Sequence, residues 1–414
     1  MKRFIVSLGM LLQLVSCSKQ EAPSQSNQTP AVPVVVTPTT PVIPTNFKNY
    51  LTTSLDLRKS DLWIDNYAIP KSNGINVSNI FYDCPITIAD FNNDGYDDVL
   101  MAPSKFPNDN KRMPLELYIN DKTNSSFKLD TSKIINNIGT NNARKGIVGD
   151  FNKDGKPDVV YAESGVDAAP FTGSNPSILL STPTGYEFKI LLTDTWFGHG
   201  VCSGDIDNDG DLDLYFTGTT DKSFLLINDG KGNFTNTPSK LIMSNYGVFT
   251  AEFKDINKDG FLDLIAGGDD YLSDKNNQPL RVFLGNGINY DSTRSIKLPT
   301  VPSWGVLIDI NSADLDGDGI DEIIINRTQD RTANFYQGFR IQILKNVGNY
   351  VYQDITDKII QDYTSNTIKW IIWLRVEDID KNGKLDIFDS DKGHYNTGVS
   401  LRWEKDTDGI FKRK

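Results

Sequence analysis

The chain has 414 residues, a formal net charge of −12 and a sequence pI near 4.8. That acidity excludes a nucleic-acid binder, which needs a basic footprint against phosphate. Three cysteines in this length exclude a fold framed by disulfides.

Residues 1–16 read as a secretory leader. Lys2 and Arg3 form its basic start, and residues 4–14 form an apolar core too short for a stable bilayer span. The core runs into Leu14-Val15-Ser16-Cys17, which resembles the lipobox of bacterial lipoproteins. The resemblance implies cleavage before Cys17 and acylation of that residue, so that lipid holds the protein to the bacterial cell envelope, at the outer membrane or the cell surface. Residues 17–45 form a tether rich in Pro, Thr, Ser and Val, as in Thr37-Pro38-Thr39-Thr40-Pro41. Such a segment buries no core and tends to polyproline II; at about 3.1 Å per residue it reaches roughly 80 Å.

The remaining residues, 46–414, read as one all-β domain. Residues 46–83 hold two strand-like pieces, Leu62-Trp63-Ile64 and Asn79-Ile80-Phe81-Tyr82. Next come six copies of one acidic loop, starting 50 to 64 residues apart. Oxygen side chains stand at positions 1, 3, 5 and 9 of each copy, and glycine at position 6. The first loop offers Asp90, Asn92, Asp94 and Asp98; the second Asp150, Asn152, Asp154 and Asp158. The third, with the fullest carboxylate set, offers Asp205, Asp207, Asp209 and Asp213. The fourth has Asp255, Asn257, Asp259 and Asp263, and the fifth Asp314, Asp316, Asp318 and Glu322. The sixth has Asp378, Asp380, Asn382 and Asp386, one carboxylate short at position 5. Alternate oxygens converging on one side of a tight turn suit a hard cation, and this shell size favours Ca²⁺ over Mg²⁺. Up to six structural Ca²⁺ ions would bring the acidic chain close to neutral.

Each loop sits between β-prone runs, such as Gly146-Ile147-Val148 before the second and Asp158-Val159-Val160-Tyr161 after it. A third run follows, as in Phe224-Leu225-Leu226-Ile227, then a Gly-rich turn (Asn228-Asp229-Gly230-Lys231-Gly232-Asn233) and a short fourth. Four antiparallel strands per repeat of this period make one propeller blade. The flanks exclude an EF-hand, which needs helices and a bidentate Glu at position 12; Met101, Tyr161, Phe216, Ala266, Ile325 and Asp389 stand there instead. Asp-x-(Asp/Asn)-x-(Asp/Asn)-Gly-x-x-(Asp/Glu) repeated at this period resembles the FG-GAP and VCBS-type repeats of integrin-α-like β-propellers. The resemblance spans about residues 80–414. It implies a ring of six counted blades, with a seventh, loop-free blade expected from residues 46–83. Cys84 and Cys202 fall in different blades and are expected as small buried residues without a disulfide.

Strand order places the acidic loops and the Gly turns on one face. The opposite face carries the loops that differ between repeats: 102–114, 164–176, 268–279 and 326–338. Variable loops on a rigid scaffold are where binding resides. Trp196, His199, Tyr246, Trp304, Arg327, Arg331 and Trp370 are the ligand-binding candidates there, with Phe171 among the further aromatics. Aromatic faces with polar neighbours suit sugars or protein side chains. The expected function is a calcium-stabilised envelope lipoprotein that binds an extracellular glycan or protein. A polysaccharide lyase or hydrolase using the same face is the alternative, and a structural envelope subunit the third reading. Only His199 and His394 are available as imidazole bases, and no nucleophile elbow or phosphate loop is present. Cys17→Ala is expected to move the protein from the membrane to the soluble fraction and to abolish fatty-acid labelling; fractionation checks both.

Overall fold

The computed structural model describes residues 80–414 except 82–84, 106–109, 123–126, 219–222, 243–247, 271–278, 331–336, 372, 379–381 and 390–400. The leader, Cys17, the tether, Cys84, Tyr246, Arg331, Asp380 and His394 lie outside the described residues. The described chain is all-β, a propeller of six mainly antiparallel blades.

Each blade runs outward from an innermost strand. Blade one is Ile86–Ala89, Asp98–Met101, Glu116–Asn120 and Phe127–Leu129. Blade two is Ala143–Gly149, Asp158–Glu163, Ser177–Thr182 and Gly185–Ile190, with Ile134–Ile135 added in parallel outside it. Blade three is Gly198–Gly204, Asp213–Gly218, Phe224–Asn228 and Phe234–Asn236, and blade four is Thr250–Lys254, Asp263–Gly267, Arg281–Phe283 and Ser295–Lys297. Blade five is Val306–Ala313, Glu322–Thr328, Gln337–Asn346 and Tyr352–Asp354; its long third strand also pairs Thr364–Lys369. Blade six is Leu374–Glu377, Asp386–Asp389, Arg402–Lys405 and Phe411–Arg413.

The expectation of a seventh blade is corrected to six. The one described strand of the early region, Ile80–Phe81, pairs with Ser104–Lys105 in a two-stranded ribbon beside blade one. Blade six draws all four strands from the C-terminal part of the chain, down to Phe411–Arg413. It therefore needs no strand from the N-terminal region.

The second strands of blades one to five are buried along their whole length, and in blades two to five their side chains alternate between two neighbours. Val159 and Tyr161 join Leu100 and Leu117 of blade one, while Val160 and Ala162 join Leu214 and Phe216 of blade three. Tyr215 packs toward Leu264 and Ala266 of blade four. Ile265 packs toward Ile323 and Ile325 of blade five, and Ile324 toward Ile387 and Trp403 of blade six. Both faces of each sheet are covered, which is why these strands read as unbroken apolar runs. Cys202 is a buried free thiol in the cluster between blades three and four.

Two contacts cross the ring axis between opposite blades. Lys145 of blade two lies 3.5 Å from Asp309 of blade five. Trp373, at the head of blade six, lies ring to ring at 6.4 Å from His199 of blade three. The ring is thus narrow enough for side chains to fill its axis.

Candidate functional site

The six loops share one backbone plan. Their position-1 carboxylates accept the N–H of positions 5 and 6: Asp90 from Asp94 and Gly95, Asp150 from Asp154 and Gly155, Asp205 from Asp209 and Gly210. Asp255 and Asp378 repeat this, and Asp314 accepts from Gly317 and Gly319. Position 5 accepts from the N–H of position 7, as Asp209 does from Asp211 at 2.9 Å and Asn382 from Lys384 at 2.8 Å. Positions 4 and 6 are left-handed, for example Asn208 at φ 59° and Gly210 at φ 87°. A Cβ on Gly95, Gly155 or Gly319 would meet nothing within 4 Å. Glycine is needed there for its dihedral angle, since left-handed backbone disfavours a Cβ.

Position 9 does more than its sequence role as a last ligand. Asp98, Asp158, Asp213, Asp263, Glu322 and Asp386 are all fully buried. In blades one to four each staples the loop to the third strand. Asp98 accepts from Phe91 N at 3.1 Å and Asn120 N at 2.9 Å; Asp158 from Phe151 N at 2.7 Å and Ser181 N at 2.6 Å. Asp213 accepts from Ile206 N and Asn228 N, and Asp263 from Ile256 N and Gly285 N. Glu322 accepts from Leu315 N at 2.8 Å, and Asp386 from the Arg402 guanidinium at 3.0 Å. A carboxylate oxygen has more than one lone pair, so an amide partner does not remove it from a metal shell.

Two loops bring three carboxylates within 4.8 Å of one another: Asp205, Asp207 and Asp213, and Asp314, Asp316 and Glu322. Asp207 Oδ1 is buried with no hydrogen-bond partner, which fits a cation as its missing neighbour. The donors at these positions are all oxygens. The described loops therefore could hold metal ions. In the fifth loop Lys345 reaches Asp316, Asp318 (2.6 Å) and Glu322 (3.2 Å), an internal ammonium among the same carboxylates. Asn152 and Asn257 each accept from the N–H at position 5.

Without a cation these loops are electrostatically loaded. Burial raises Asp98, Asp213 and Asp263 to about 7 and Asp158 to about 6, neighbouring loop carboxylates add to it, and the stapling amides oppose it.

The opposite face is closed at the axis. Phe249, Val306, Ile308 and Trp370 form a buried apolar cluster with Trp373 packed on it. His199 stacks on Phe249, and its Nδ1 donates to the Phe249 carbonyl at 2.9 Å. Three inner strands carry β-bulges here, at Ala143/Lys145, Gly198/Gly200 and Leu307/Asp309. The inserted residues are Arg144, His199 and Ile308, and a bulge re-aims such a side chain. The Trp373 indole donates to the Arg144 carbonyl at 3.2 Å.

The predicted ligand residues divide by burial. Trp196, 8% exposed, is wedged against Phe216 and Phe224 between blades two and three. Arg327 is fully buried and donates to Asp270 (2.7 Å), Gln342 (2.8 Å) and the Trp304 carbonyl (3.1 Å). Trp304 is half-buried, its ring close over Gly338. His199 and Trp370 belong to the axial plug. Among the described aromatic residues of this face, Phe171 reaches solvent, 42% exposed at φ 55°. Its ring meets Phe197 edge-on at 5.2 Å; Arg144 lies 6.0 Å from the Phe197 ring and pairs with Asp167 at 2.5 Å.

The FG-GAP-like repeat family matches residues 90–161 and 205–266. No curated protein matches the chain. Among solved structures, the V. cholerae biofilm matrix protein Bap1 is 14% identical at a TM-score of 0.42, over 72% of this chain and 42% of that one. A chain described as an exo-β-1,3-galactanase, from Bifidobacterium bifidum s17, is 10% identical at a TM-score of 0.38, over 66% of this chain and 90% of that one. This chain thus spans less than half the length of the biofilm matrix chain it matches.

The raised carboxylates give a signed pH dependence. An acid held above its unfolded value of 3.8 opposes folding increasingly as pH climbs from there to about 7. In excess chelator the melting temperature is expected to fall between pH 5 and pH 8; with divalent cation present the fall is expected to be much smaller. Thermal unfolding at both pH values checks it.

Proposed function

This chain is an FG-GAP β-propeller, and from that premise we propose that it is a calcium-stabilised cell-envelope lipoprotein that binds an extracellular glycan or protein on its variable-loop face. The observation that carries the reading is the Phe171–Phe197 pair with Arg144 beside it. A bulky residue at φ 55° sits in a region that β-carbons avoid, and its ring is left in solvent on the face where the repeats differ. An exposed aromatic face with a guanidinium and a carboxylate next to it suits the apolar face and hydroxyls of a sugar, or a peptide. Calcium follows from shells made only of oxygens, with a glycine turn at position 6. The lipid anchor follows from Leu14-Val15-Ser16-Cys17, and places the ring outside the membrane on its tether.

Phe171→Ala is expected to abolish binding on a glycan array or in pull-down from envelope extracts, with the melting temperature nearly unchanged. Trp196→Ala is expected to cost about 3 kcal/mol of stability, as large buried aromatics do. Binding that survives Phe171→Ala would move the site elsewhere.

Calcium is tested separately. At a hundredfold excess over Kd, each filled loop contributes about 3 kcal/mol. Asp209→Ala is expected to reduce the calcium-induced rise in melting temperature more than Asn382→Ala, because the third loop has the fuller carboxylate set. Differential scanning fluorimetry across a calcium titration reads both.

A further inference from the structure

The fifth acidic loop differs from the others in what already stands among its carboxylates. In blades one to four the residue after position 9 pairs with Tyr118, Leu179, Leu226 or Phe283 of the third strand. The next residue along that strand is Ile119, Leu180, Ile227 or Leu284, apolar each time. In blade five Ile323 pairs with Leu344, and the next residue is Lys345. An apolar position of the repeat is here a cation. Position 9 changes in the same blade: this loop ends on Glu322, whereas the other five end on Asp.

Lys345 is not a surface lysine leaning on a nearby acid. Its side chain is 18% exposed, and its ammonium reaches three of the loop's four carboxylates: Asp316, Asp318 at 2.6 Å and Glu322 at 3.2 Å. The fourth, Asp314, accepts from Gly317 N at 2.7 Å and Gly319 N at 2.8 Å. Lys122 and Lys240 each meet a single ligand-position carboxylate of another loop, Asp94 at 3.4 Å and Asp207 at 2.9 Å. The staple is altered as well. In blades one to four position 9 accepts an amide of the third strand; Glu322 accepts from Leu315 N and meets the third strand through the Lys345 ammonium. The three donors of an ammonium match three carboxylates. A calcium ion would need those same oxygens at about 2.3–2.6 Å, and two cations sharing one small shell repel strongly.

We propose that Lys345 is the resident cation of the fifth loop, which is closed by this ammonium and takes no divalent ion. The contrast with the other loops rests on the calcium reading above; the place of the lysine does not. Blade five therefore keeps its loop when calcium is withdrawn.

Calcium bound per chain, counted by equilibrium dialysis and elemental analysis, tests the proposal. Lys345→Met returns an apolar side chain to this position and is expected to bind one ion more than the wild type. Lys345→Arg keeps the charge and is expected to leave the count unchanged. Asp316→Ala is expected to leave the wild-type count unchanged but to remove the extra ion from Lys345→Met, which locates that ion in the fifth loop. In chelator Lys345→Met is expected to melt below the wild type, because three carboxylates lose their counter-charge, and saturating calcium is expected to recover most of the loss. Equal counts in the wild type and Lys345→Met overturn the proposal, as does a wild-type count that drops by one in Asp316→Ala. That second arm stands even where a neutral residue at position 345 fails to fold. A wild type that binds no calcium refutes the calcium reading of the other loops, and the gain or absence of an ion in Lys345→Met still decides the fifth.

Discussion

Six fully buried carboxylates, one at the head of each second strand, are the constraint on which the ring depends. Burying a carboxylate is costly unless its oxygens find donors. In blades one to four the donors are two backbone amides, one from the loop and one from the end of the third strand. One side chain thereby fixes the loop's conformation and the end of the sheet together. The same desolvation raises the acids of blades one to five toward neutrality, and a divalent cation in the loop would offset it. Loop geometry, sheet register and metal capacity are thus one electrostatic arrangement repeated around the ring.

The staple is local to each blade, whereas the ring is held by the faces of the sheets. Alternation along the second strands sends successive side chains to opposite neighbours, so each of blades two to five contributes to two cores. Neighbouring loops are joined as well. Asn208 of the third loop donates to the Gly260 carbonyl of the fourth, and Lys258 of the fourth reaches the Gly319 carbonyl of the fifth. At the axis, Lys145 and Asp309 join opposite blades. The bulges that insert Arg144, His199 and Ile308 lie on the same side as the apolar plug of Phe249, Ile308 and Trp370. The two faces therefore differ in kind: one carries the repeated acidic loops, the other an apolar plug ringed by unlike loops.

What the sequence by itself determined is the repeated unit. Asp-x-(Asp/Asn)-x-(Asp/Asn)-Gly is legible because a tight turn demands left-handed backbone and converging oxygens at set spacings. The strands were legible because burial on both faces demands apolar runs. Such local requirements act over a few residues, so they mark the chain wherever they recur. The blade number was decided by tertiary pairing: Ile80–Phe81 took Ser104–Lys105 as its partner, and blade six completed itself from the C-terminal segment. Burial likewise separated Trp196 and Arg327, spent on inter-blade packing and on Asp270, from Phe171, which faces solvent. Aromatic and basic residues carry no mark of which side of a sheet they will occupy. Lys145 and Asp309, far apart in sequence, meet at 3.5 Å, and only closure of the ring brings blades two and five to one axis.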